Sequence, residues 1–86
     1  MEDLRVALGR RIRELREASG LSQEELAERA RLHWVYVSGV ERGVRSPGLD
    51  VIGRIAIGLR VSPSELFAPL TGRYRARTRK TASSRD

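Results

Sequence analysis

Eighty-six residues with a formal net charge of +6 and no cysteine fit one small domain and exclude a disulfide framework or a thiolate metal site. The apolar runs are only a few residues long and Met1 is followed at once by Glu2 and Asp3, which argues against a membrane span or signal peptide and for a soluble, cytoplasmic protein. Residues 1 to 69 hold 11 Arg against 10 acids, net +1, whereas residues 70 to 86 hold 6 basic residues against Asp86, net +5. Any anionic partner of the folded part must therefore be met by a local arrangement of charge and not by bulk basicity.

Leu4, Leu8, Ile12 and Leu15 recur at i, i+4, i+8 and i+11, which predicts a first helix over residues 4 to 19, ended by Gly20. Ser22 and Glu25 form a capping box, so a second helix starts at Gln23. Leu26, Ala27 and Ala30 make its narrow buried side, and the small Ala27 lets the next helix cross closely. Arg31 and Leu32 form the connection, and the sole histidine, His33, caps or precedes a third helix beginning at Trp34. In that helix Val37 and Val40 face inward, while Val35, Ser38, Gly39 and Arg42 fall on the other side. A solvated face normally carries Glu and Lys, so this nearly uncharged one is built for contact. Gly43 stops the helix as a C′ glycine with positive φ.

Pro47 is expected in the first turn of a fourth helix, with Leu49, Ile52, Ile55, Ala56 and Leu59 as its inward stripe. Gly53 and Gly58 each weaken that helix by roughly 1 kcal/mol relative to Ala, which points to close helix approach. A second capping box, Ser62 to Glu65 with Pro63 at the first helical position, opens a short fifth helix through Leu66 and Phe67. Beyond Pro69 the chain turns to alternating Arg and small polar residues that cannot build a core. The expectation is an all-α, five-helix domain over residues 1 to 69, followed by a basic, disordered C-terminal tail over 70 to 86. If the tail instead adds contacts to an anionic partner, deleting residues 72 to 86 flattens the salt dependence of that binding.

Two short helices and a tight connection between Leu21 and Gly43 are the pattern of a helix-turn-helix. The segment, with the motif at about 22–42, resembles that of the Cro and phage-repressor (XRE-like) family. Further matches are Arg11 to Arg13, Leu15, Arg16, Gly20 to Gln23, Glu41 to Gly43, Arg45 to Pro47, Leu49, Ile55, Ala56, Leu59, Val61 and Glu65 to Phe67. The small stand-alone regulators, including restriction-modification controller proteins, are the nearest variety. The resemblance implies a compact lambda-repressor-like bundle whose third helix, about 34–42, enters the major groove of double-stranded DNA. It places Trp34, Val35, Tyr36, Ser38 and Gly39 on the reading face, Gln23 on a phosphate, and Arg42 and Arg45 on phosphate or a guanine. Trp34 is either such a contact or a packed aromatic, and Trp34→Ala separates the two by affecting affinity or stability. The same resemblance makes Arg16 and Glu41 a structural ion pair.

Regulators of this kind bind palindromic operators as homodimers, and Leu66, Phe67 and Leu70 are the candidate dimer interface unless they close the monomer's own core. The chain lacks a nucleophile–base arrangement, a phosphate-binding glycine loop and a paired carboxylate motif, so no enzyme, catalytic residue, metal or cofactor is expected. The second reading is an antitoxin-like module that neutralises a protein partner and autoregulates its operon.

Overall fold

A computed structural model of the chain describes residues 3–72. The Asp3 carboxylate accepts from the backbone N–H of Arg5 at 2.8 Å and opens α1 (Leu4–Ala18). Gly20, at φ +72°, closes it in a Schellman arrangement: Leu21 N–H donates to the Arg16 carbonyl and Gly20 N–H to that of Glu17. Ala7, Leu8 and Ile12 are buried and Leu15 is partly so, whereas Leu4 is exposed, so the expected stripe begins a turn later than predicted.

The Ser22 capping box forms as expected. Its hydroxyl accepts from Glu25 N–H at 3.0 Å while Glu25 accepts from Ser22 N–H at 2.8 Å, starting α2 (Gln23–Ala30). The backbone N–H of Ser22, before the Ser22 hydroxyl, holds the Glu25 carboxyl below its usual range. The box's contribution is thus present above the ordinary Glu pKa and is lost as pH falls through the lowered one. Arg31, left-handed at φ 59°, ends α2, and Leu32 N–H donates to the Ala27 carbonyl at 2.8 Å. His33 then caps α3 (Trp34–Glu41), its Nδ1 accepting from Val35 N–H at 3.2 Å.

The fourth helix, α4 (Leu49–Leu59), starts later than expected. Gly48 is its N-cap, so Pro47 precedes the helix and does not occupy its first turn. Leu49, expected inward, is 87% exposed because it shares the outward face of α4 with Ile57, 74% exposed, while Ile52 packs against the core and Ile55, Ala56 and Leu59 are buried as predicted. Gly58 is a point of close approach to α2: a Cβ there would lie 3.0 Å from Leu26 Cδ1 and 3.3 Å from Arg29 Cβ. Gly53 is not, since a Cβ there would meet nothing within 4 Å. The Ser62–Glu65 box, with Pro63 as first residue, starts α5 (Pro63–Phe67), and a 3₁₀ turn follows over Ala68–Gly72.

α2 packs on both α3 and α4, and α5 with the 3₁₀ turn returns to α1. The Arg11 guanidinium fastens that return, donating to the Glu65 carbonyl at 3.1 and 2.9 Å. This return corrects the expected dimer interface. Leu66 is fully buried, Leu70 nearly so and Phe67 packs against the core, so all three close the monomer. Leu70 also carries the packed domain past the boundary expected at residue 69. The basic tail from residue 73 onward lies outside the described residues. No described helix is long and apolar enough to cross a membrane.

Candidate nucleic-acid interface

α3 is held from behind by a charged cluster. Arg16 reaches from α1 to Glu41 at the end of α3, its Nε 2.6 Å from Oε2 and its Nη2 3.1 Å from Oε1. Both side chains are withdrawn from solvent, 11% and 2% exposed, and Arg16 Nη1 also donates to the Leu21 carbonyl at 2.8 Å. The hydrogen-bonded carboxylate raises the Arg16 pKa above its usual value. The expected ion pair therefore exists, and it joins the first helix, the entry to α2 and the last turn of α3. Gln23 belongs to it as well, donating from Nε2 to Glu41 Oε1 at 3.0 Å. That bond occupies one of the two amide hydrogens, so Gln23 has a structural role that its position alone did not reveal.

With Val37 and Val40 buried, the opposite side of α3 faces solvent. Trp34 is 45% and Val35 46% exposed, Arg42 is exposed, and Ser38 is half-buried. Trp34 lies beside His33 with ring centroids 6.4 Å apart, and is not the packed aromatic of the bland alternative. Tyr36 leans toward the core, half-buried, with the Arg45 guanidinium 5.7 Å from its ring centroid. Among the described residues neither Arg42 nor Arg45 is held in an ion pair, so both charges are available to an anion.

Gly39 departs from expectation. It lies toward the outward side of the helix but is buried, because the Arg45 side chain runs over it. It offers no surface for a direct contact, and the residue that occupies its place on the interface is Arg45. Gly43 ends α3 at φ +78°, and a Cβ there would come within 2.9 Å of Val6 on α1. A further glycine went unmarked in the sequence reading: Gly9 of α1, where a Cβ would lie 2.3 Å from the Val40 carbonyl oxygen. A lone glycine inside a helical pattern was the available signal.

A packed α2–α3 pair, a short connection and a third helix with an exposed, nearly uncharged face are the parts of a helix-turn-helix. The helix-turn-helix family model HTH_3 matches residues 12–66. The chain belongs to this family. Among its relatives the control protein C.BamHI of Bacillus amyloliquefaciens is 40% identical over 66 residues, 76% of this chain and 82% of that protein. The control protein C.MunI of Mycoplasma sp is 35% identical over 71 residues, 81% of this chain and 96% of that one. The crystal structure of the restriction-modification controller protein C.AhdI from Aeromonas hydrophila aligns with a TM-score of 0.72 at 51% identity, over 73% of this chain and 96% of the other. This helix-turn-helix protein is thus of the XRE-like type, and its class of activity is DNA-binding transcription regulation.

Proposed function

We propose that the protein is a sequence-specific operator-binding regulator, without enzymatic activity or cofactor, that acts inside the cell as a homodimer on palindromic DNA. The exposed, nearly uncharged face of α3, Trp34, Val35 and Ser38 with Arg42 beside it, carries the reading. Val35 suits a thymine methyl, the Trp34 indole N–H suits a sugar or phosphate oxygen, and Arg42 and the second amide hydrogen of Gln23 suit phosphates. The similarity to controller proteins favours control of an operon of that kind. Selection of bound duplexes from a randomised pool at near-physiological salt should enrich a palindrome. Absence of any enriched sequence would overturn the operator reading and favour a protein partner.

Because Leu66, Phe67 and Leu70 are used within the monomer, the dimer face is better sought on α4. Leu49 and Ile57 are 87% and 74% exposed and flank Gly53 at i, i+4 and i+8. Beside that stripe Asp50 pairs with Arg54 at 3.2 Å. A helix carrying both charges next to an apolar stripe is self-complementary under a two-fold axis, which sets each Arg54 against the other Asp50. The variant Ile57→Glu should therefore sediment as a monomer at micromolar concentration, with the thermal transition of the domain kept. Its affinity for the full palindrome should fall roughly tenfold or more, since the second half-site is no longer bound in the same event. An unchanged sedimentation coefficient would place the interface elsewhere.

A further inference from the structure

Where the end of α2 meets α4 the surface closes into a cavity of about 180 Å³, lined by Arg29, Ala30, Arg31, Arg54 and Ile57. Its walls are mainly apolar, made by Ala30, Ile57 and the stems of the arginines, and no acidic residue is among them. Three like charges around one cavity repel one another, and the folded chain holds two of them in place. Arg29 donates from Nη1 to the Gly58 carbonyl at 3.3 Å. Arg54 donates from Nη1 to the Arg31 carbonyl at 3.4 Å, while its Nη2 lies 3.2 Å from Asp50 Oδ2. Among the described residues the guanidinium of Arg31 has no such partner. Arg31 also stands at φ 59°, in the left-handed region, where an arginine is strained and a glycine is not. The turn it makes is closed by backbone alone, since the N–H groups of Arg31 and Leu32 donate to the Glu28 and Ala27 carbonyls. The fold therefore makes no use of this side chain, which leaves its charge to a ligand.

Size narrows the ligand. An apolar cavity of about 150 Å³ holds a benzene ring, whereas pockets for drug-sized molecules begin near about 300 Å³. The space between α2 and α4 thus takes one ring and leaves out a nucleotide. Charge supplies the rest: a carboxylate offers two oxygens to the planar fork of a guanidinium, and such charge-assisted pairs are the stronger class of hydrogen bond. We propose that this cavity is an effector site for a compact aromatic carboxylate, with the ring against Ala30 and Ile57 and the carboxylate between Arg31 and Arg54. Arg54 and Ile57 also belong to the α4 face proposed for the homodimer, so the ligand and a second copy draw on the same two side chains. Occupation of the cavity opposes dimerisation and lowers affinity for a palindrome; this consequence, unlike the site itself, rests on the dimer reading above.

The probe is benzoate, titrated into the full chain at constant ionic strength and followed by amide NMR spectra, with benzamide and inorganic phosphate as controls. The shifts should saturate and centre on residues 29 to 31, 54 and 57. Benzamide keeps the ring and loses the charge, phosphate keeps the charge and loses the ring, and each should bind about tenfold more weakly or worse. Arg31→Gly removes the guanidinium and relieves the left-handed backbone, so it should keep the thermal transition and weaken benzoate binding roughly tenfold or more. Arg60→Gly makes the same backbone change at the end of α4, at a residue that does not line the cavity, and should leave benzoate binding as it is. The site is overturned if the benzoate shifts do not saturate, if benzamide or phosphate matches benzoate, or if Arg31→Gly binds it as the wild-type chain does. Saturating benzoate should also increase the monomer in sedimentation, and an unaltered sedimentation profile overturns the regulatory half of the proposal. Failure of the dimer reading itself is distinguishable, because Ile57→Glu then remains a dimer with no ligand present.

Discussion

Replacing Glu41 by alanine is expected to cost about 3–5 kcal/mol of stability, because it leaves the Arg16 guanidinium withdrawn from water without its counter-charge. The carboxylate is only 2% exposed and accepts from Arg16 Nε, Arg16 Nη2 and Gln23 Nε2. In a protein whose whole margin is about 5–15 kcal/mol, such a loss leaves a large unfolded fraction. Arg16→Ala should cost a similar amount, since it strands the carboxylate. The double variant Arg16→Met/Glu41→Leu should cost less than either single change, because it removes both charges and keeps the volume. Urea denaturation of the four proteins measures the cycle. A loss below about 1 kcal/mol for Glu41→Ala would show that the pair is solvated and contributes as a surface pair does. The consequence for the proposed DNA contact is indirect: Glu41 fixes the end of α3 against α1, so the pair orients the helix proposed to read DNA.

The parts of this domain governed by local chemistry were legible in the sequence. Ser22 with Glu25, and Ser62 with Glu65, carry both partners of their hydrogen bonds within four residues, and both helices start where the boxes put them. Gly20 and Gly43 likewise announce turns that need positive φ. Arg31, expected in the connection, and Arg60 adopt left-handed conformations that nothing announces, because an arginine and not a glycine fills the position in each. The bonds from Leu32 to the Ala27 carbonyl and from Val61 to the Ala56 carbonyl hold them instead. Periodicity misplaced Leu4 because it assigns a face along a helix but does not say where the core ends along its axis, and Leu49 because its register is that of the exposed Ile57 and not that of the buried Ile55 and Leu59. Leu66 and Leu70 show the complementary limit. Apolar residues near a chain end suit an interface or a core equally, and only the return of α5 to α1, bonded through Arg11, decides between them. At the interface, helical arithmetic put Gly39 on the correct side. It could not foresee that a residue six positions later would cover it.

The substitution Gly9→Ala should destabilise the protein by roughly 2 kcal/mol or more, although alanine is the better helix former by about 1 kcal/mol. The reason is the nature of the obstruction. A Cβ on Gly9 would lie 2.3 Å from the Val40 carbonyl oxygen, 2.6 Å from that of Glu41 and 2.9 Å from the Glu41 carbonyl carbon. All three are backbone atoms at the end of α3, so no side-chain rotation relieves the clash and the two helices must separate. Separation would also lengthen the Arg16–Glu41 bonds, which span the same pair of helices. Gly53→Ala is the matched comparison, since a Cβ there meets nothing within 4 Å. Measured at a concentration where the chain is monomeric, it should stabilise the domain by about 0.5–1 kcal/mol through the helix and the unfolded chain alone. Opposite signs for the two variants in thermal denaturation are the expected result, and equal stabilisation would mean that α1 and α3 do not approach as closely as their backbones require. If the signs are opposite, Gly9 sets the distance at which α1 supports α3, and the position of the helix proposed to read DNA depends on a residue packed behind it.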